Sequence, residues 1–192
     1  CREKGGRWRY FCNPSSPIGR FCSAATQHSA EEAVLIPLPP GATLTTPHAL
    51  RALSRLYEEN RRWLIYGPLL RYPSGQILPL DKLSHQQLIF GSIRRHPIQG
   101  PFFLSFTQKL FRSLDKELLE DKPLPLKHPW LAALLFALTE KARLQTKYVD
   151  RLFLTLGTPQ PHSPDWETEV TRLRQIPHQR PLMGSRLKWL AS

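Results

Sequence analysis

The sequence predicts an α+β protein, with a basic mixed part of short strands and helices over residues 1–106 and a helical part over residues 107–192. Three observations carry this expectation. Nineteen prolines in 192 residues cut the chain into short elements and argue against an all-helical bundle. The run Gly100-Pro101-Phe102-Phe103-Leu104-Ser105-Phe106 is apolar and opened by a turn pair, as a buried strand would be. Beyond it, apolar residues recur at helical spacing for much of the remaining chain.

In chain order, Arg7-Trp8-Arg9-Tyr10-Phe11 interleaves cations with aromatics. It fits a strand with one aromatic face buried, and equally a surface on which bases stack while arginines meet phosphates. Val34 to Leu38 is a short strand closed by Pro39-Pro40-Gly41. Thr46 as N-cap and Pro47 as first helical residue open a helix with Leu50, Leu53 and Tyr57 on one face. Trp63 to Tyr66 is a strand. Leu69–Tyr72 and Gln76–Leu80 flank Pro73-Ser74-Gly75 as a hairpin, placed at a sheet edge by their prolines. A short helix covers Asp81 to Ile93, then the strand of residues 102–106 follows. Thr107 to Glu120 is amphipathic, Pro123 to Pro129 is a connector, and Trp130 to Leu156 reads as the longest helix, with Gly157 after its end. Ser163-Pro164 starts another helix, and Leu182 to Leu190 a last short one. No internal repeat is present.

The charge bounds the function. The chain carries 27 basic and 15 acidic residues, a net charge of +12, and arginine outnumbers lysine 18 to 9. Guanidinium grips phosphate bidentately and stacks on bases, while ammonium acts as a point charge. The bias therefore points to a polyanion partner. Lys82 to Leu114 holds no acid in thirty-three residues. No phosphate-cradling glycine loop, metalloprotease helix or nucleophile elbow is present, and no catalytic residues are assigned. The candidate nucleic-acid contacts are Arg61, Arg62, Arg94, Arg95, His96, Lys109, Arg112, Arg172 and Arg174, with Trp8 and Trp63 as stacking or wedge residues. Gln86, Gln87, Gln99 and Gln108 are base-reading candidates by type alone.

Three cysteines cannot all pair, which favours a reducing, cytoplasmic setting over a disulfide scaffold. Cys1, Cys12, Cys22 and His28 form a legitimate zinc ligand set. No Cys-x-x-Cys is present, however, and Cys12 and Cys22 also suit small core positions. No cofactor beyond a possible zinc is indicated. No apolar run approaches the roughly 18 residues of a membrane span, so no membrane partner is expected. With Cys1 first and Met183 the only methionine, further residues are expected upstream.

The layout resembles the large-subunit family of CRISPR effector complexes, in particular the reduced, zinc-finger-bearing form of type IV systems. The likeness is one of order: a Cys-containing basic start, a compact mixed region holding residues 100–106, and a helical end including Thr146-Lys147-Tyr148. It implies a non-catalytic subunit for antiviral defence that holds the CRISPR RNA 5′ end and recognises a short motif in duplex DNA. More generally, the expected function is a non-enzymatic subunit of a ribonucleoprotein complex whose partners are RNA, duplex DNA or both, and other protein subunits. The alternatives are a structural ribosomal component and a protein-interaction adaptor.

Overall fold

The computed structural model describes residues 2–4, 8–10, 30, 32–39, 41–98, 101–114, 130–157 and 166–175. The architecture is α+β, with two four-stranded mixed sheets, a two-stranded ribbon and helices. The ribbon pairs β1 (Arg2–Lys4) with β2 (Trp8–Tyr10) antiparallel.

The central sheet has β5 (Leu64–Gly67) and β8 (Phe103–Thr107) in the middle, with β3 (Val34–Leu35) and β9 (Thr146–Tyr148) at its edges. β5 pairs antiparallel with β8 and parallel with β9. The two middle strands are buried on both faces, which explains their unbroken apolar sequences. Leu64, Tyr66, Leu104 and Phe106 point into one core cluster, and Ile65 and Phe103 into another. The period-2 alternation of side chains thus divides two cores rather than core from solvent.

The larger core is completed by Trp130–Ala142 (α4), an apolar helix whose described positions from Leu131 to Ala142 are all buried except half-buried Ala133. The smaller core lies under Ala49–Asn60 (α1), which contributes Ala49 and Leu53. The second sheet, in the order β4 (Ala42–Leu44), β10 (Leu154–Leu156), β6 (Leu69–Arg71) and β7 (Ile77–Leu78), adds Leu69 and Leu154 to that core. The remaining described helices are short α2 (His85–Phe90), α3 (Gln108–Arg112) and α5 (Trp166–Gln175).

Several expectations meet the structure closely. The hairpin forms, pairing Leu69 with Leu78 and Leu70 with Ile77, and Gly75 adopts φ 68° in its turn. Other boundaries shift. Helix α1 starts at Ala49 rather than Pro47; Thr46 supplies a carbonyl to the Ala49 N–H, 3.1 Å away, not a side-chain cap. Helix α2 starts later than Asp81, because Ser84 and Gln87 close a reciprocal capping box.

One expectation is corrected. The helix drawn from Trp130 to Leu156 ends at Ala142; Arg143 turns to φ 48°, and residues 146–148 and 154–156 are strands. The β-branched and aromatic run Thr146-Lys147-Tyr148-Val149 prefers a pleated surface, and β5 offers it a parallel edge. Thr146-Lys147-Tyr148 therefore belongs to the central sheet, not to a helical end. Strands β9 and β10, which lie beyond residue 107, complete sheets begun before it. Residues 115–129, 158–165 and the expected helix at 182–190 lie outside the described residues.

An ion pair between Arg94 and Glu140 sits within this core. Arg94, 5% exposed, donates from Nε to Glu140 Oε1 at 2.6 Å and from Nη2 to Oε2 at 3.0 Å, and Glu140 is fully buried. Its Nη1 reaches the Leu173 carbonyl on α5 at 3.0 Å. Removing one partner strands a charge in the core, so Glu140→Ala is expected to cost about 3–5 kcal/mol. An Arg94→Met/Glu140→Leu double variant is expected to recover most of that. Urea denaturation of the single and double variants checks both outcomes.

Candidate nucleic-acid interface

The predicted contact residues do not form one surface. Arg94 is committed to Glu140 and Leu173, so it is not a phosphate ligand. His96 is also buried, and its Nε2 lies 2.9 Å from the Asp81 carbonyl. A carbonyl only accepts, so Nε2 carries the hydrogen. Burial pushes the imidazole pKa below its ordinary value, partly opposed by that bond and by the Asp81 charge. Of the expected Arg94-Arg95-His96 corner only Arg95 is exposed. The physical reason is that the 3₁₀ turn Ser92–Arg95 packs into the core through Ile93 and Arg94.

The Arg61-Arg62-Trp63 corner divides in the same way. Arg61 is exposed as the left-handed C-cap of α1. Arg62 turns inward and its Nη1 donates to the Leu144 carbonyl. Trp63 packs half-buried on the larger core, and its backbone bonds Gln145 and Thr107, so it is no wedge. Lys109 and Arg112 are exposed on α3, and Arg172 and Arg174 on α5 to either side of buried Leu173. Gln87 is used in the capping box, and Gln108 is buried at the start of α3. Cys1, Cys12, Cys22, His28, Gln99 and the side chain of Trp8 lie outside the described residues. Among the described residues no cluster of His, Cys, Asp or Glu is arranged to hold a metal ion, and no helix is long and apolar enough to cross a membrane.

The structure gathers a basic cleft elsewhere. His48, Arg51, Ala52, Arg55, Leu56 and Glu59 of α1 and its N-cap face Arg151 across an open cleft of about 490 Å³. At 3.6 residues per turn, the six α1 positions fall within a sector of about 140°. Arg51 and Arg55 lie along one border of that sector and the half-buried Ala52 and Leu56 along the other.

Both walls are fixed. The Thr45 N–H donates to the Phe153 carbonyl at 3.0 Å, and its hydroxyl to the Leu152 carbonyl at 2.7 Å. These bonds tie the start of α1 to the turn that carries Arg151. The Arg151 guanidinium sits 5.7 Å from the centre of the buried Phe153 ring, a cation–π contact that holds its position. The other side of α1 is anchored by Tyr57, whose hydroxyl lies 3.0 Å from Ser105 Oγ in the middle of β8. Burial raises the Tyr57 phenol well above its ordinary range, so it stays a neutral hydrogen-bonding post. Among the described residues, the side chains of Arg51, Arg55, Glu59 and Arg151 have no hydrogen-bond or ion-pair partner. Three guanidiniums aimed at one open cleft can therefore receive anionic oxygens without breaking an existing bond.

Arg51 and Arg55 fall within the helix expected from Thr46 onward, but they are not among the candidate contacts. Their i, i+4 spacing with His48 one turn earlier is the signal that was present. Arg151 could not be added, because it was assigned to a helix rather than to a turn. No protein-family model matches the chain, and no curated protein or solved structure matches it.

His96 gives a pH test of this placement. Its pKa is lowered in the fold, so the unfolded chain takes up a proton at higher pH than the folded one. Its contribution is whole above the unfolded value near 6.5 and falls as pH drops below it. Denaturant midpoints measured between about pH 8 and pH 5 are expected to fall more steeply for the native chain than for His96→Gln. A surface-exposed His96 would give parallel curves.

Proposed function

We propose that this chain is a basic, non-catalytic nucleic-acid-binding subunit of a larger ribonucleoprotein assembly. The observation that carries the proposal is the set of three guanidiniums, Arg51, Arg55 and Arg151, around one open cleft, none of them in a side-chain hydrogen bond or ion pair among the described residues. The net charge of +12 and the two-to-one excess of arginine over lysine support it, since they suit phosphate contacts over most of the surface. Exposed Arg61, Arg95, Lys109, Arg172 and Arg174 add charge outside the cleft. Attachment to other subunits is supported by Ile89 and Phe90, an adjacent apolar pair at the end of α2, with Phe90 77% exposed. The resemblance to CRISPR large subunits supplies the most specific form of the proposal: a subunit that holds the guide RNA 5′ end and recognises a short duplex DNA motif.

The test is binding of labelled RNA and DNA oligonucleotides to the full chain across a salt series. Affinity is expected to fall steeply with salt, and Arg51→Ala/Arg55→Ala/Arg151→Ala to reduce the log–log slope by about 2. An unchanged slope in the triple variant would remove the cleft from the interface. Native mass spectrometry of the protein from its source cells adds the assembly. A stoichiometric nucleic acid with partner chains is expected, and a bare monomer would favour the adaptor.

A further inference from the structure

We propose that the cleft between α1 and the Arg151 turn selects a single ribonucleotide strand, with Glu59 as the group that recognises the ribose. The inference rests on the nucleic-acid reading of the cleft and adds to it the identity of the sugar.

A purely electrostatic phosphate site has no use for a carboxylate. Yet Glu59 lies in the same cleft as Arg51, Arg55 and Arg151. It stands one helical turn after Arg55, at a spacing that permits an ion pair, and makes none among the described residues. The neighbouring Glu58, by contrast, accepts from the Ser54 hydroxyl at 3.1 Å. An ionised carboxylate only accepts hydrogen bonds, and it repels phosphate oxygens. Its natural complement in a nucleic acid is a hydroxyl or amino donor carried beside a phosphate. The ribose 2′-hydroxyl is such a donor on every residue of RNA, and deoxyribose lacks it.

The layout accommodates one strand. Arg51 and Arg55 are about 6 Å apart along the helix axis, comparable to the separation of successive phosphates on one strand. Ala52 and Leu56 give an apolar strip for the sugar and base on the other border of the stripe. Arg151, held on Phe153, closes the opposite wall. A volume near 490 Å³ suits a nucleotide-sized unit, and a concave site of that size receives a strand more readily than the convex side of a duplex. The backbone phosphates would thus meet the arginines while the 2′-hydroxyl donates to Glu59.

The test measures binding of the full chain to single-stranded oligouridylate and oligodeoxyuridylate of equal length, which differ only in the sugar hydroxyl. The native chain is expected to favour the ribose strand by about tenfold, the value of one charge-assisted hydrogen bond. Glu59→Gln removes a negative charge, so both strands are expected to bind more tightly, and the readout is their ratio. That ratio is expected to shrink severalfold in Glu59→Gln and to be largely kept in Glu59→Asp. Annealing the ribose strand to its complement is expected to weaken binding. Equal affinities in the native chain, or an unchanged ratio in Glu59→Gln, overturn the inference while Arg51→Ala/Arg55→Ala still weakens both strands and the binding role stands. Failure of both strands to bind removes the nucleic-acid reading and the ribose assignment together.

Discussion

Arg94 and Glu140 join three parts of the chain that the apolar packing alone does not register. Helix α4 is apolar almost all round, so its hydrophobic side chains fill the larger core without fixing its rotation about its own axis. A single fully buried carboxylate does fix it. Glu140 must meet a guanidinium, and Arg94 must lie in the core to supply one. The third donor of Arg94 then docks α5 through the Leu173 carbonyl. Burying two charges costs several kcal/mol per ion before their attraction is counted. The pair is therefore better understood as a device for register than as a source of net stability.

That internal link decides where the basic surface lies. The most arginine-dense stretch of an acid-free run turns inward at Arg94 and His96, and Arg62 spends a donor on Leu144. The cations that line the cleft lie mainly on α1, a helix whose inner face is tied to the central sheet by Tyr57 and whose start is tied by Thr45 to the β9–β10 turn. The cleft exists because the chain after α4 returns as two strands. One extends the central sheet beside β5, the other joins the second sheet, and the turn between them brings Arg151 opposite Arg55.

Local chemistry made the short elements legible. Pro73-Ser74-Gly75 marks its hairpin because the turn needs a glycine at positive φ, and the run at residues 102–106 marks a strand buried on both faces. Helix α5 was visible in the Ser163-Pro164 start that precedes it. The long helix from Trp130 failed where a 3.6-residue period and tertiary pairing compete. Val149 and Phe153 fit that period, but they belong to the smaller core, across the sheet from α4. Nor does sequence separate a buried arginine from an exposed one. Arg94 and Arg95 are adjacent and chemically alike, and only the acid forty-six residues away distinguishes them. The cleft joins residue 48 to residue 151, a juxtaposition set by the β10 pairing with β4 and β6.

The most direct measurement is photocrosslinking of a thiouridine-containing RNA strand to the full chain, followed by peptide mapping. Crosslinks are expected in the peptides covering residues 48–59 and 149–153, with none at 94 or 96. Crosslinks concentrated at residues 61–63 or 94–96, with α1 untouched, would contradict the placement of the binding surface and the inward role of Arg94.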